Sequence, residues 1–147
     1  MKLNMKKCLL MFLLICSLFT ITGCKKTYKN LEHVIHKDIF NIQEREYYIY
    51  VYRPQCDVCS RLEEIVYKYA KKAKRNDDMP NLYVLNKGDT VNNSAIYHGN
   101  GVGNDFIGAT TCDEIKTSTS PVLFKIKNGK VVSLFQDDYE IESQLTI

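Results

Sequence analysis

The middle of the chain carries a strand pattern, then a helix pattern, then a second strand pattern. Residues 46–52 (EYYIYVY) are dense in aromatic and β-branched side chains on both alternating faces, which is typical of a central strand covered on both sides. Residues 58–75 repeat apolar side chains at helical spacing, with acidic residues early and basic residues late, as the helix dipole favours. Residues 82–85 (LYVL) predict a second short strand. This order predicts two parallel strands joined by a crossover helix.

The C-terminal part of the chain carries the clearest hairpin signal. Residues 122–126 (VLFKI) and 131–135 (VVSLF) flank Asn128-Gly129, and an Asn-Gly pair readily adopts the positive φ angles of a tight two-residue turn. Residues 137–147 predict a short closing helix. Together with the parallel strands, this hairpin predicts an α/β domain with a mixed sheet and helices on its faces.

Other segments are less regular. Residues 31–43 have apolar side chains at roughly helical spacing and predict a short helix, on which His33 and His36 are expected to be surface polar residues rather than metal ligands. Residues 86–111 form a connection rich in Gly and Asn, and connections of this length are commonly functional or mobile. Residues 112–117 predict a helical turn.

The N-terminus has the order of a secretory signal peptide, because three lysines precede an uncharged apolar run over residues 8–23. The run is short for a membrane-spanning helix, which needs roughly 20 apolar residues. It ends in Ile21-Thr22-Gly23-Cys24, which resembles the bacterial lipobox. The resemblance implies cleavage before Cys24, a diacylglyceryl thioether on its sulfur with acyl chains such as palmitate, and anchoring on the extracytoplasmic face of the cell membrane.

These patterns divide the chain into a signal peptide over residues 1–23, a lipidated N-terminus and polar tether over 24–30, and one domain over 31–147. With 45% hydrophobic residues in the chain, a domain of this length can bury a modest core. Loss of the three lysines of the signal peptide lowers the Lys and Arg count from 20 to 17, which equals the 17 Asp and Glu. A formally neutral domain gives no electrostatic reason to expect nucleic acid or an acidic substrate.

Cysteine use follows the same division. Two of the six cysteines belong to the predicted signal peptide and a third, Cys24, is the acylated residue, so the domain keeps Cys56, Cys59 and Cys112. An exported domain meets conditions that permit disulfides, and an odd count leaves at least one thiol without an internal partner. For Cys112 we favour a buried, inert cysteine over a third redox thiol or a partner for another protein.

Cys56-Asp57-Val58-Cys59 lies where the predicted central strand meets the predicted helix. Unpaired amides and the dipole at a helix N-terminus favour a thiolate, and a two-residue spacer also lets the two sulfurs close as a disulfide. A metal site would normally need a second ligand pair. A structural staple that encloses two residues would remove little entropy from the unfolded chain. The residues therefore favour redox chemistry, with metal binding and a structural staple as the alternatives.

This strand, the CxxC motif and the amphipathic helix, together with Ser120-Pro121 before the hairpin, resemble the thioredoxin superfamily and, within it, small exported thioredoxin-like lipoproteins. The resemblance covers roughly residues 31–147. It implies a thioredoxin-like α/β fold with a central mixed sheet flanked by helices and a C-terminal β-hairpin. It also implies that Cys56 and Cys59 are catalytic, that Pro121 is cis and lies beside them, and that Ser120 offers its backbone to the substrate chain.

The chain also departs from the classical thioredoxin pattern. Tyr50 stands where that family has a buried aspartate, and Gln55 stands where it has a tryptophan. The spacer of the motif is Asp57-Val58 instead of Gly-Pro. A buried acid relay is therefore not expected, and removal of the proton from Cys59 has to rely on solvent or on another group.

These features predict a membrane-anchored extracytoplasmic thiol–disulfide oxidoreductase that needs no cofactor or metal. The reductase direction is favoured because it is frequent in the family. The expected partners are protein thiols and disulfides, and a membrane or exported electron donor. The alternative is a non-catalytic thioredoxin-fold binding module, such as a metallochaperone or an accessory protein of an export system.

Overall fold

The computed structural model describes residues 26–96 and 105–146. The predicted signal peptide, the lipidation site at Cys24 and residues 97–104 of the long connection lie outside these described residues. No helix within the described ranges combines the length and the apolar character needed to cross a membrane.

The centre of the fold is a four-stranded sheet with the order β2-β1-β3-β4. Strand β1 (Glu46–Tyr52) pairs in parallel with β2 (Asn81–Asn86) and antiparallel with β3 (Val122–Lys127), which pairs antiparallel with β4 (Lys130–Phe135). The predicted mixed sheet is thereby confirmed. In the turn between β3 and β4, Asn128 and Gly129 have φ angles of 51° and 71°, as a primed hairpin turn requires.

Alternate residues of β1 serve two different cores. Tyr48, Tyr50 and Tyr52 belong to a core formed with the two α-helices of the described residues, and the intervening β1 residues belong to a core on the opposite face. The first helix, α1 (Asp57–Ala73), turns one apolar stripe towards the sheet. The second, α2 (Asp138–Leu145), begins where the Asp137 side chain accepts a hydrogen bond from the amide of Tyr139.

The opposite face of the sheet is covered by 3-10 helices at His36–Asn41, Thr90–Ala95 and Cys112–Glu114. The helix predicted over residues 31–43 is wrong in its first part, because the chain before His36 is extended. There the amide of Val34 donates to the carbonyl of Val84 and the amide of Val84 donates to that of Glu32, each within 3.0 Å, which covers the outer edge of β2.

The prediction that His36 is a surface residue is wrong. It is 1% exposed, and its backbone amide donates to Asn92. Its ring nitrogens lie 2.7 Å from the Ser94 hydroxyl and 2.7 Å from the Ile115 carbonyl. Because each nitrogen has a partner, burial of the ring leaves no polar atom unpaired.

Candidate active site

Cys56 and Cys59 form a disulfide at the start of α1, with their Cα atoms 5.2 Å apart. Cys56 is the N-cap of the helix, and its sulfur accepts a hydrogen bond of 3.2 Å from the amide of Cys59. Gln55 precedes the cap with a φ of 60°, a left-handed conformation that turns the chain sharply between β1 and α1. The sulfur of Cys56 therefore lies where helix amides stabilise negative charge.

The two cysteines differ in exposure, since 9% of Cys56 and 2% of Cys59 is accessible. The sulfur of Cys56 also lies 3.7 Å from the carbonyl oxygen of Ser120. The bond between Ser120 and Pro121 is cis, as the resemblance implied. The structure thus brings four predicted site residues together, with Cys56 as the cysteine that contacts the segment before Pro121.

Lys87 holds that segment in place, and sequence reasoning missed it. It follows β2 directly, is 9% exposed, and donates to the carbonyls of Thr117 at 2.7 Å and Thr119 at 3.3 Å. Burial lowers the pKa of Lys87 to about 8, and the charge of Arg53 contributes to the shift. The only sequence signal was a lysine next to a buried strand, which does not distinguish it from a surface lysine.

Tyr28 packs beneath Cys59, although the sequence analysis placed it in the tether. It is 6% exposed and lies in a 3-10 helix, Tyr28–Asn30, so the packed chain begins before residue 31. Its hydroxyl donates to the carbonyl of Cys59 and lies 3.0 Å from the hydroxyl of Tyr50. Its ring lies 4.3 Å from the ring of Tyr52, measured between centroids.

The backbone of Tyr28 is also held. Its amide donates to the carboxylate of Glu63 at 2.9 Å, and its carbonyl lies 3.0 Å from a ring nitrogen of His33. Burial raises the pKa values of Tyr28 and Tyr50 above that of an ordinary tyrosine, and raises the pKa of Tyr52 to about 12. These hydroxyls stay protonated at neutral pH. A cluster of tyrosine hydroxyls therefore lies where the thioredoxin pattern has a buried aspartate.

A cavity of about 560 Å³ opens beside this cluster. Its charged and titratable lining residues are Tyr28, Lys29, Tyr52, Arg53, Cys59 and Glu63. Exposed residues such as Arg53 and Lys29 form its rim, so the cavity leads from solvent to Cys59.

Cys112 is a free, partly exposed thiol in the 3-10 helix Cys112–Glu114, so it is not the buried residue we favoured from the sequence. Arg61 forms an exposed ion pair of 3.0 Å with Asp138 of α2. In the described ranges, no group of three or more His, Cys, Asp or Glu side chains is arranged to hold a metal ion.

Neither a protein-family model nor a curated protein sequence matches the chain. Among solved structures, oxidized mitochondrial thioredoxin 3 from Saccharomyces cerevisiae aligns with a TM-score of 0.54 and 10% identity, over 80% of this chain and 95% of that one. Thioredoxin f2 from Chlamydomonas reinhardtii aligns with a TM-score of 0.51 and 12% identity, over 78% and 93% of the two chains. A chain from a complex of ferredoxin:thioredoxin reductase with thioredoxin f2 aligns with a TM-score of 0.52 and 14% identity, over 78% of this chain and 88% of that one. The chain has a thioredoxin-like fold.

Proposed function

We propose that the chain is a thiol–disulfide oxidoreductase in which Cys56 and Cys59 alternate between dithiol and disulfide. The observation that carries this proposal is the disulfide itself, closed at the N-terminus of α1 with Cys56 as the helix N-cap. A structural staple across two residues would contribute little to stability, whereas the same position suits a reactive thiolate.

In the reductase direction the Cys56 thiolate attacks one sulfur of a substrate disulfide. A mixed disulfide forms, and the other substrate sulfur leaves as a thiolate. The Cys59 thiolate then attacks Cys56, so that the second substrate sulfur leaves and the Cys56–Cys59 disulfide closes. The substrate gains two electrons, and the pair loses two. The oxidase direction is the reverse sequence.

Cys56 is suited to the first attack for two reasons. The amide of Cys59 donates to its sulfur, and such a bond strengthens when the sulfur is negatively charged. Cys56 is also the more exposed of the pair and contacts the carbonyl of Ser120, next to the segment that we propose to bind the substrate backbone. Ser120 and Pro121 would thus align the substrate disulfide with the attacking sulfur.

We further propose that the protein works on the extracytoplasmic side of a membrane, held by acyl chains on Cys24. The lipobox-like sequence before Cys24 supports this anchor. Its partners would be protein thiols and disulfides, and an electron donor that reduces the pair. Thioredoxin f2, whose structure this chain resembles, occurs in a complex with a reductase, which supports a protein donor.

Titration in glutathione buffers tests the redox proposal. The purified protein should show one reversible two-electron transition that depends on Cys56 and Cys59. Cys59→Ser should trap a mixed disulfide on Cys56, whereas Cys56→Ser should trap none. Stoichiometric metal retention without a redox transition would instead support the binding-module alternative.

Fractionation of cells tests the anchor. The full chain should be found with the membranes and should incorporate labelled palmitate. Cys24→Ser should lose the label and leave the membrane fraction. Unchanged membrane association of Cys24→Ser without label would refute the lipid anchor, and would leave the redox proposal intact.

A further inference from the structure

Resolution of the mixed disulfide by Cys59 needs a base. The position where the thioredoxin pattern has a buried aspartate holds Tyr50 in this chain. Cys59 must lose its proton before it attacks the mixed disulfide, because the thiolate is the nucleophile. On β1 beneath Cys59 lies Tyr50, which is 0% exposed and whose hydroxyl contacts the Tyr28 hydroxyl. Since burial raises the pKa values of both tyrosines, neither hydroxyl is ionised and able to take a proton at neutral pH.

Glu63 is the carboxylate placed to do this work. It follows Cys59 by one turn of α1, so both side chains project from the same side of the helix. Both residues line the cavity of about 560 Å³, and within the described part of the chain Glu63 is the only carboxylate among its lining residues. A cavity of this size that opens to solvent has room for water to carry a proton between them.

Among the described residues that line the cavity, no other side chain is as well placed as Glu63 to take this proton. Lys29 and Arg53 at the cavity rim are cationic side chains, and burial keeps the hydroxyls of Tyr28 and Tyr52 protonated. His33 is not among the residues that line the cavity, and one of its ring nitrogens lies 3.0 Å from the Tyr28 carbonyl. Burial raises the pKa of Tyr52, and the charges of Asp89 and Glu63 add to this effect, but Asp89 is not among the residues that line the cavity.

The contact with Tyr28 fixes where the carboxylate points. One Glu63 oxygen accepts the amide of Tyr28 at 2.9 Å, and the Tyr28 hydroxyl donates to the carbonyl of Cys59. Tyr28 therefore connects Glu63 and Cys59 from two sides. The second carboxylate oxygen remains for a proton that arrives through the cavity.

We propose that Glu63 accepts the proton of Cys59 during resolution of the mixed disulfide. This inference rests on the proposed redox function. The Cys59 S–H bond breaks and its proton passes to the Glu63 carboxylate. The Cys59 thiolate then forms a bond to the sulfur of Cys56, and the bond from Cys56 to the substrate sulfur breaks. The electron pair of that bond leaves with the substrate as a thiolate, which takes up a proton from solvent.

The aromatic disulfide DTNB separates the two steps, because it releases one coloured thiolate when Cys56 attacks and a second when Cys59 resolves. The full chain is used with its other four cysteines, Cys8, Cys16, Cys24 and Cys112, replaced by serine, so that only the pair reacts. In this background we compare Glu63→Gln with Glu64→Gln. Glutamine keeps an oxygen for the Tyr28 amide, and Glu64 is an exposed neighbour that pairs with Lys26 and Lys68.

At pH 6 to 7 we expect Glu63→Gln to slow the second release at least about tenfold and to leave the first unchanged, since general-base catalysis typically contributes about 10²–10⁴. The difference should shrink above about pH 8.5, where a free thiol ionises without help. Glu63→Asp should restore part of the rate, and Glu64→Gln should match the unsubstituted pair.

Two outcomes would overturn this role. Equal second-phase rates in Glu63→Gln and Glu64→Gln would show that no proton passes to Glu63. Equal slowing of both phases in Glu63→Gln would place its effect on Cys56 or on the fold. A different result, in which the unsubstituted pair shows no second release and forms no Cys56–Cys59 disulfide, would refute the proposed redox function itself.

Discussion

The two cysteines of the pair lie in differently built surroundings. Cys56 is held by neighbours that are close in sequence, since it caps α1 and accepts the amide of Cys59, and by the segment before Pro121. Cys59 is held by Tyr28, which is 31 residues away, and through Tyr28 by Glu63. The first arrangement stabilises a negative sulfur, and the second buries a sulfur that has to be deprotonated on demand.

This difference matches the order of the proposed steps. The attacking sulfur must be a thiolate before the substrate arrives, so a permanent dipole and a fixed amide suit it. The resolving sulfur is needed only after the mixed disulfide has formed. Its buried position, 2% exposed, protects it from other reagents until then. Local chain geometry is sufficient for the first requirement, whereas the second requires a distant segment.

The largest effects should come from the cysteines themselves. Cys56→Ser should reduce disulfide-reductase activity to the background of the buffer, because no nucleophile remains. Cys59→Ser should retain the first attack and stop at the mixed disulfide. Turnover of a protein disulfide and mass spectrometry of the trapped species measure the two effects. Cys112→Ser is the matched control, and a comparable loss of turnover there would make Cys112 a third redox thiol.

Tyr28 is the next most sensitive position, because it connects the Cys59 side to the rest of the fold. Tyr28→Ala should lower the free energy of unfolding by about 3 kcal/mol through lost aromatic burial. Tyr28→Phe should cost about 1 to 2 kcal/mol, since the Cys59 carbonyl and the Tyr50 hydroxyl lose a partner.

Urea unfolding measures both Tyr28 changes. Tyr139→Ala is the control, because Tyr139 is 77% exposed and its loss should change stability by no more than about 0.5 kcal/mol. If Tyr28→Ala proved as stable as Tyr139→Ala, the 3-10 helix Tyr28–Asn30 would not be part of the stable domain.

Lys87, on the Cys56 side, should make the free energy of unfolding depend on pH. Its pKa is about 8 in the folded protein, against about 10.4 in an unfolded chain, so the unfolded state binds more protons between these values. The free energy of unfolding should therefore rise with pH across this window relative to Lys87→Gln, which cannot titrate. Urea titrations at pH 7.5, 9 and 10 measure the difference. Lys72→Gln, at an exposed site, should show no such trend, and a flat difference for Lys87→Gln would refute the shift.

Much of the fold was predictable because its signals are local. The bounds of β1 were predicted to the residue, since aromatic and β-branched side chains fill both of its faces. The turn at Asn128-Gly129 follows from the positive φ angles that these two residues tolerate. The position of Cys56 at a helix start follows from the change of period at the CxxC motif.

The rest depends on contacts that periodicity does not encode. Residues 31–43 have helical spacing, but hydrogen bonds to the edge of β2 hold their first part extended. His36 is buried because Ser94 and Ile115 offer partners from distant segments. Tyr28 lies in a short polar stretch, where a single aromatic residue gives no pattern. Its role becomes visible only when Cys59 and Glu63 lie beside it.

The smallest expected effect concerns the two arginines near the pair, and it sharpens the contrast between the Cys56 and Cys59 sides. Arg61 is engaged with Asp138 at the surface, and exposed ion pairs contribute little. Arg61→Gln should therefore change the rate of the first thiolate release from DTNB by less than about twofold.

Arg53 lines the cavity and its charge reaches Lys87, so Arg53→Gln should slow this release more than Arg61→Gln does. The difference should fade at high salt, because salt screens exposed charges. If Arg61→Gln were the slower of the two, the ion pair with Asp138 would not hold Arg61 away from Cys56. The charge that assists the first attack would then come from Arg61 on α1 and not from Arg53 at the cavity rim.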